Sequence, residues 1–110
     1  MGVAVSSVRL MYLTMYKLDL EYKLSLITSA KMNLSQSVND LLTVGTDLEP
    51  DSPEVKALER RKERLYLIEK RLDEQMTRYQ TTLKMVEAQI NEVRGSVDRG
   101  ISEAFGGGRR

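Results

Sequence analysis

The sequence predicts an all-α fold: an antiparallel two-helix hairpin with coiled-coil packing, elongated and assembled into a helical filament. Three observations predict it. Both prolines, Pro50 and Pro53, stand together in the middle of the 110 residues, and Gly95, Gly100, Gly106, Gly107 and Gly108 crowd one end, so two long stretches contain little that would stop a helix. In both stretches apolar residues recur at alternating steps of three and four. Charged residues make up 30% of the chain and aromatics only 5%, a balance suited to a structure in which every residue lies near the surface.

Helix 1 is predicted over about residues 8–44. Its seam runs through Leu10, Leu13, Lys17, Leu20, Leu24, Ile27, Lys31, Leu34, Val38 and Leu41, and the two lysines that interrupt it have stems long enough to carry their ammonium groups to water. Leu18, Leu20, Tyr22, Leu24 and Leu26 also alternate with polar residues as a strand would. The helical pattern persists far longer than this alternation, so it decides the assignment.

Residues 45–52 read as a turn. Gly45 is placed to end helix 1 in a left-handed conformation. Asp51 or Ser52 caps helix 2, Pro53 supplies the pre-set φ of a first helical turn, and Glu54 favours the positive helix end. Helix 2 then runs over about 53–105, ahead of a flexible Gly/Arg tail at 106–110, all within one domain of residues 1–110.

Helix 2 carries an unbroken heptad seam of Leu72, Met76, Tyr79, Leu83, Val86, Ile90, Val93 and Val97. Upstream, Leu58 and Leu65 fit it, Lys62 and Glu69 interrupt it, and Ile68 is expected to cover the same face one step early. The hairpin core is thus predicted to hold Leu20, Leu24, Ile27, Leu34, Leu72, Met76, Tyr79, Leu83, Val86, Ile90 and Val93. Near the turn Leu41 should meet Val55 or Leu58, and farther out Leu24 should lie near Leu72. The segment from Gly95 onward should overhang helix 1 or meet only the N-terminal arm, and order only when neighbours pack on it.

Helix 1 is more apolar than a hairpin requires. A second strip, Val8, Met11, Met15, Leu18, Tyr22 and Leu26, with Tyr12 and Tyr16 between, lies beside the seam. One partner helix covers a stripe of roughly 100° or somewhat more, which leaves this strip uncovered. No third segment is available to cover it, so the expected assembly interface is this strip together with Val97, Ile101 and Phe105.

An apolar first helix, the turn Pro50-Asp51-Ser52-Pro53 followed by Val55-Lys56-Ala57-Leu58, and a terminal Ile101-Ser102-Glu103-Ala104-Phe105 resemble the needle and filament subunits of type III secretion systems. The resemblance implies helical hairpins that polymerise around a narrow channel and are exported without a cleavable signal.

Histidine and cysteine are both absent, which removes imidazole bases, thiol nucleophiles and the usual ligands of zinc, haem and iron–sulfur clusters. No triad or paired-carboxylate spacing stands out, and Tyr66 and Tyr79 read as packing residues; the chain is expected not to be an enzyme and to need no cofactor or metal. Asp47, Glu49 and Asp51 alternate like the start of a calcium loop, but the downstream glycine and bidentate Glu are missing. Arg60, Arg61, Lys62 and Arg64 form the densest basic cluster; with Glu59 and Glu63 interleaved and a net charge of +1, a solvated face or a contact to a neighbour's acidic turn is expected, not nucleic acid. The first residues fit the loose myristoylation pattern at Gly2, a match met often by chance.

No signal peptide is visible, and the longest apolar window, Val3 to Tyr16, is too short for a membrane span and contains Arg9. The expected partner is the chain itself, as a homo-oligomer or filament, and no membrane is expected among its partners. The expected location is the cytoplasm, or outside the cell by a route without a cleavable signal. The rival reading is a cytosolic coiled-coil adaptor or secretion chaperone that binds a helix of another protein.

Overall fold

The structure, a computed structural model, describes residues 2–106, with the side chains of residues 104–106 outside the description. Two helices, α1 (Val3–Gly45) and α2 (Pro53–Gly106), pack against each other, and no strand occurs among the described residues. The tail expected at 106–110 falls, beyond Gly106, outside the described residues. α1 begins at Val3 rather than Val8. No capping residue marks that start, and the apolar run Val3-Ala4-Val5 continues the helix back to where the Ser6 N–H donates to the Gly2 carbonyl at 3.2 Å.

The link between the helices is built from local hydrogen bonds. α1 tightens at its end, the Thr46 N–H donating to the Thr43 carbonyl and the Asp47 N–H to the Val44 carbonyl. Gly45 is the last helical residue and does not take the left-handed conformation expected of it; the left-handed residue is Asp51, with φ 65°. With Pro50 before it and the Ser52 N–H donating to the Glu49 carbonyl, Asp51 occupies the turn position that demands positive φ, which Asp tolerates better than most residues. Ser52, not Asp51, is the cap: its hydroxyl oxygen accepts from the Val55 N–H at 3.2 Å, and Pro53 and Glu54 fill the first turn.

Packing divides the described residues into two compact units, one made of the residues up to Lys23 with those from Tyr79 onward, the other Leu24–Arg78. Tertiary contacts in a two-helix hairpin are lateral and local, so the packing falls into sections.

In the first unit Leu13, Leu20, Val86, Ile90 and Val93 are buried as one cluster, with Leu10, Tyr79, Leu83 and Val97 packed against it. Every residue there obeys the heptad seams, and antiparallel pairing follows from Lys23 lying over Tyr79 while Val3 reaches Gly100. A Cβ on Gly100 would clash with Val3 Cγ2, so this glycine permits the approach of the two helices. The segment after Gly95 therefore meets the N-terminal arm, the second of the two expected outcomes, and that arm is itself helical, forming the first turns of α1.

In the second unit Ile27, Leu34 and Val38 are buried on α1, while the α2 seam of Val55, Leu58, Lys62, Leu65, Glu69, Leu72 and Met76 is only half-buried. Ile68 stays exposed at 44% and Glu69 takes the seam position, so the heptad continues through its charged members and Ile68 does not replace them. Tyr66 is half exposed and is no packing residue within the chain, whereas Tyr79 is.

Leu41, Val55 and Leu58 line one cleft beside Gly45. Farther from the turn the register differs from expectation. Lys31 forms an ion pair with Asp73, which sets Leu72 level with Lys31 and about two helical turns from Leu24. The offset arises at the turn, where Gly45 lies against Leu58 and not Pro53, so a count made symmetrically from the turn misplaces every later pair.

Candidate association surface

α1 has two apolar faces in the first unit because its residues satisfy two stripes at once. Leu10, Leu13, Lys17 and Leu20 are buried or half-buried, and Val8, Met11, Met15, Leu18 and Tyr22 are 61–68% exposed between them; Leu26, in the second unit, is 50% exposed. Tyr12 and Tyr16 belong to the same exposed surface, their rings edge to face with centroids 6.4 Å apart. Val5, 54% exposed, also joins it. An earlier helix start was the one thing needed to see Val5, since its spacing to Val8 and Tyr12 is helical.

Of the charges in or beside this surface, Asp19 and Lys23 compensate each other. The Lys23 ammonium is 2.9 Å from the Asp19 carboxylate one turn earlier and 5.9 Å from the centre of the Tyr79 ring. Its pKa is raised, chiefly by the hydrogen bond to Asp19 and then by the charge of that carboxylate. The strip thus presents thioethers, aliphatic groups and phenol rings, with its one central carboxylate already paired.

Of the α2 residues expected at the interface, Val97 packs on the chain's own core and does not join the strip. It continues the intrachain seam from Val93, and α1 extends far enough to meet it. Ile101 is exposed, and the side chain of Phe105 lies outside the described residues.

The outward face of α1 changes character after Leu26. Thr28, Ser29, Asn33, Ser35, Gln36, Ser37, Asn39 and Asp40 are exposed, with Met32 alone among them as a large apolar residue. Thr14, Thr28, Ser37 and Thr43 turn their hydroxyls back to carbonyls one turn earlier at 2.8–3.0 Å, which satisfies them within the helix. Arg60, Arg61 and Arg64 on α2 are exposed, and Lys62 is half-buried in the seam.

Among the described residues no group of three or more acidic, His or Cys side chains converges as a metal site would require, and no helix is long and apolar enough to cross a membrane. No family model matches the chain, and no similar curated protein or solved structure was found.

Proposed function

We propose that the chain is a structural, self-assembling subunit, a helical hairpin that polymerises into a filament or tube and belongs with secretion-needle-like or surface filaments. The observation that carries this reading is the exposed strip from Val8 to Leu26, whose six named residues are each at least half exposed. Covering one such side chain is worth roughly 1.5–3 kcal/mol when burial is complete, and an array repeats that gain in every subunit.

Negative-stain microscopy and light scattering over a concentration series test the proposal. Regular filaments that lengthen with concentration are the expected result. A monomer at every concentration and salt overturns self-assembly, and the adaptor reading then takes its place. One observation favours that second reading: the strip ends at Leu26, and a discrete apolar strip is the size of a groove for one amphipathic partner helix.

A further inference from the structure

We infer that Met11 and Met15 form an oxidation site that controls the strip: a peroxide converts the two thioethers to sulfoxides, and subunits then no longer associate through that face. This rests on the self-assembly reading and adds the chemistry that regulates it.

The chain has no cysteine, histidine or tryptophan, so its thioethers are the side chains that a two-electron oxidant attacks first. Accessibility then sorts the methionines. Met11 and Met15 are 66% and 68% exposed, Met32 and Met85 are comparably open, and Met76 is half-buried in the α2 seam. A peroxide therefore reaches the first four sulfurs freely and that of Met76 slowly.

Position decides which of the open methionines matter. Met11 and Met15 stand one helical turn apart on one side of α1, between Val8 and Leu18 and beside Tyr12, in the middle of the apolar strip. Met32 stands among exposed hydroxyls and amides, and Met85 lies between the exposed Thr81 and Gln89 on α2. A sulfoxide at either of these adds one polar group to a surface that is already polar. Sulfoxides at Met11 and Met15 put two strong dipoles into a continuous apolar face. Neither side chain supports the hairpin, because the residues of α1 that do so here are Leu13 and Leu20, packed with Val86, Ile90 and Val93. Oxidation thus changes the outward face and leaves the fold alone.

The step balances with peroxide alone. The sulfur lone pair attacks one peroxide oxygen, and the S–O bond forms as the O–O bond breaks. The proton of the attacked oxygen moves to the departing one, which leaves as water. Sulfur is oxidised by two electrons and the peroxide is reduced by two. The sulfoxide oxygen is a hydrogen-bond acceptor that must lose its water before it can be buried. Reversal takes two thiols, which become a disulfide while the sulfoxide oxygen departs as water. A strip covered by a neighbouring subunit is closed to peroxide, so the oxidant acts on free subunits and draws the assembly apart by mass action.

Hydrogen peroxide added to the chain tests the proposal. Peptide mapping by mass spectrometry of a dilute sample should show one oxygen on Met11 and one on Met15 before Met76 reacts. Circular dichroism should stay unchanged, binding of an apolar fluorescent dye to the monomer should fall, and the concentration for half-association should rise roughly tenfold or more. Methionine sulfoxide reductase with dithiothreitol should restore both dye binding and association. Met11→Leu with Met15→Leu keeps volume and apolarity without sulfur, so it should associate as the wild type does and be indifferent to peroxide. Met32→Leu with Met85→Leu should remain as sensitive as the wild type.

Peroxide sensitivity that persists in the Met11→Leu, Met15→Leu chain overturns the assignment to this pair. An unmoved midpoint in a wild type fully oxidised at both positions overturns the switch and leaves self-assembly standing. A wild type that sediments as a monomer at every concentration overturns the self-assembly reading. Dye binding to that monomer then decides the site, and a signal unchanged by oxidation overturns it as well.

Discussion

The two packing units are built on the same hairpin and the same heptad rule, yet they treat the two sides of α1 differently. In the first, aliphatic residues fill most of both seams, Leu13 and Leu20 facing Val86, Ile90 and Val93 with Lys17 and Tyr79 among them, and the outward side of α1 is apolar as well. In the second, the α2 seam includes Lys62 and Glu69, Lys31 enters the α1 seam and pairs with Asp73, and the outward side of α1 is mainly hydroxyls and amides, with Met32, Leu42 and Val44 exposed among them. One unit gathers apolar surface and the other disperses it. Heptad regularity thus specifies which residues face the partner helix, while the outward residues decide whether a section of hairpin is self-sufficient.

The largest test of this contrast is a charge placed on either side of α1's neighbourhood. Ile90→Glu, at 5% exposure, should cost more than about 3 kcal/mol and unfold the hairpin, read as lost ellipticity. Met15→Glu, at 68% exposure, should change the stability of the single chain by no more than about 0.5 kcal/mol while abolishing light scattering by assemblies. Equal loss of helicity in the two variants would place the strip inside the chain's own core and remove the distinction between the faces.

Truncation sharpens the comparison between units. Leu20→Ala, at the most buried position, should cost about 2–5 kcal/mol in denaturant unfolding. Leu72→Ala, half-buried, should cost clearly less because part of that side chain already meets water. Comparable losses would mean the second unit's seam is as dry as the first's.

The glycines give a smaller effect with opposite signs. Gly95→Ala meets nothing within 4 Å and should raise stability by about 1 kcal/mol, and Gly45→Ala, whose Cβ would touch Leu58 at 3.9 Å, should gain a similar amount or less. Gly100→Ala should instead lose stability through Val3, and Val3→Ala in the same chain should restore part of it. A stabilising Gly100→Ala would show that α1 does not reach that level.

The smallest effect is a pH dependence. The hydrogen bond to Asp73 is the main cause of a raised Lys31 pKa, with the charges of Asp73 and Glu69 acting in the same direction. A raised lysine pKa gives stability that is complete below its ordinary value near 10.5 and is lost as pH climbs through the higher folded-state value. Thermal melts should therefore weaken above about pH 10.5, and Lys31→Met should flatten that part of the profile. Screening at this exposed pair keeps the change small.

Much of this architecture was legible in the residues, for physical reasons. The α2 seam from Leu72 to Val97 has no competing pattern, and the capped start at Ser52-Pro53-Glu54 is local chemistry that tertiary structure did not override. Less legible were features set by the partner helix. Ile68 is apolar and lies one step from the seam, but knobs-into-holes geometry places Glu69 there instead. Gly45 looked like the left-handed residue, yet the turn needed that conformation after Pro50, at Asp51. The start of α1 carried no cap to read, and from that one omission came the assignment of Val97 to a subunit interface. The strip itself was visible as a second stripe. The pairing of Asp19 with Lys23 beside it became clear only with side chains in place.

The closeness of Val3 to Gly100 has a consequence for how the chain is made. Contacts beside the turn, such as Gly45 with Leu58, close a short loop, but the first unit must bring together residues from opposite ends of the described chain. During synthesis the segment Val3–Lys23 is translated before its partner, Tyr79–Gly100. At about 5–20 residues per second it spends several seconds with both apolar faces bare. A helix apolar on two sides therefore stays uncovered on both until the chain's other end has been made.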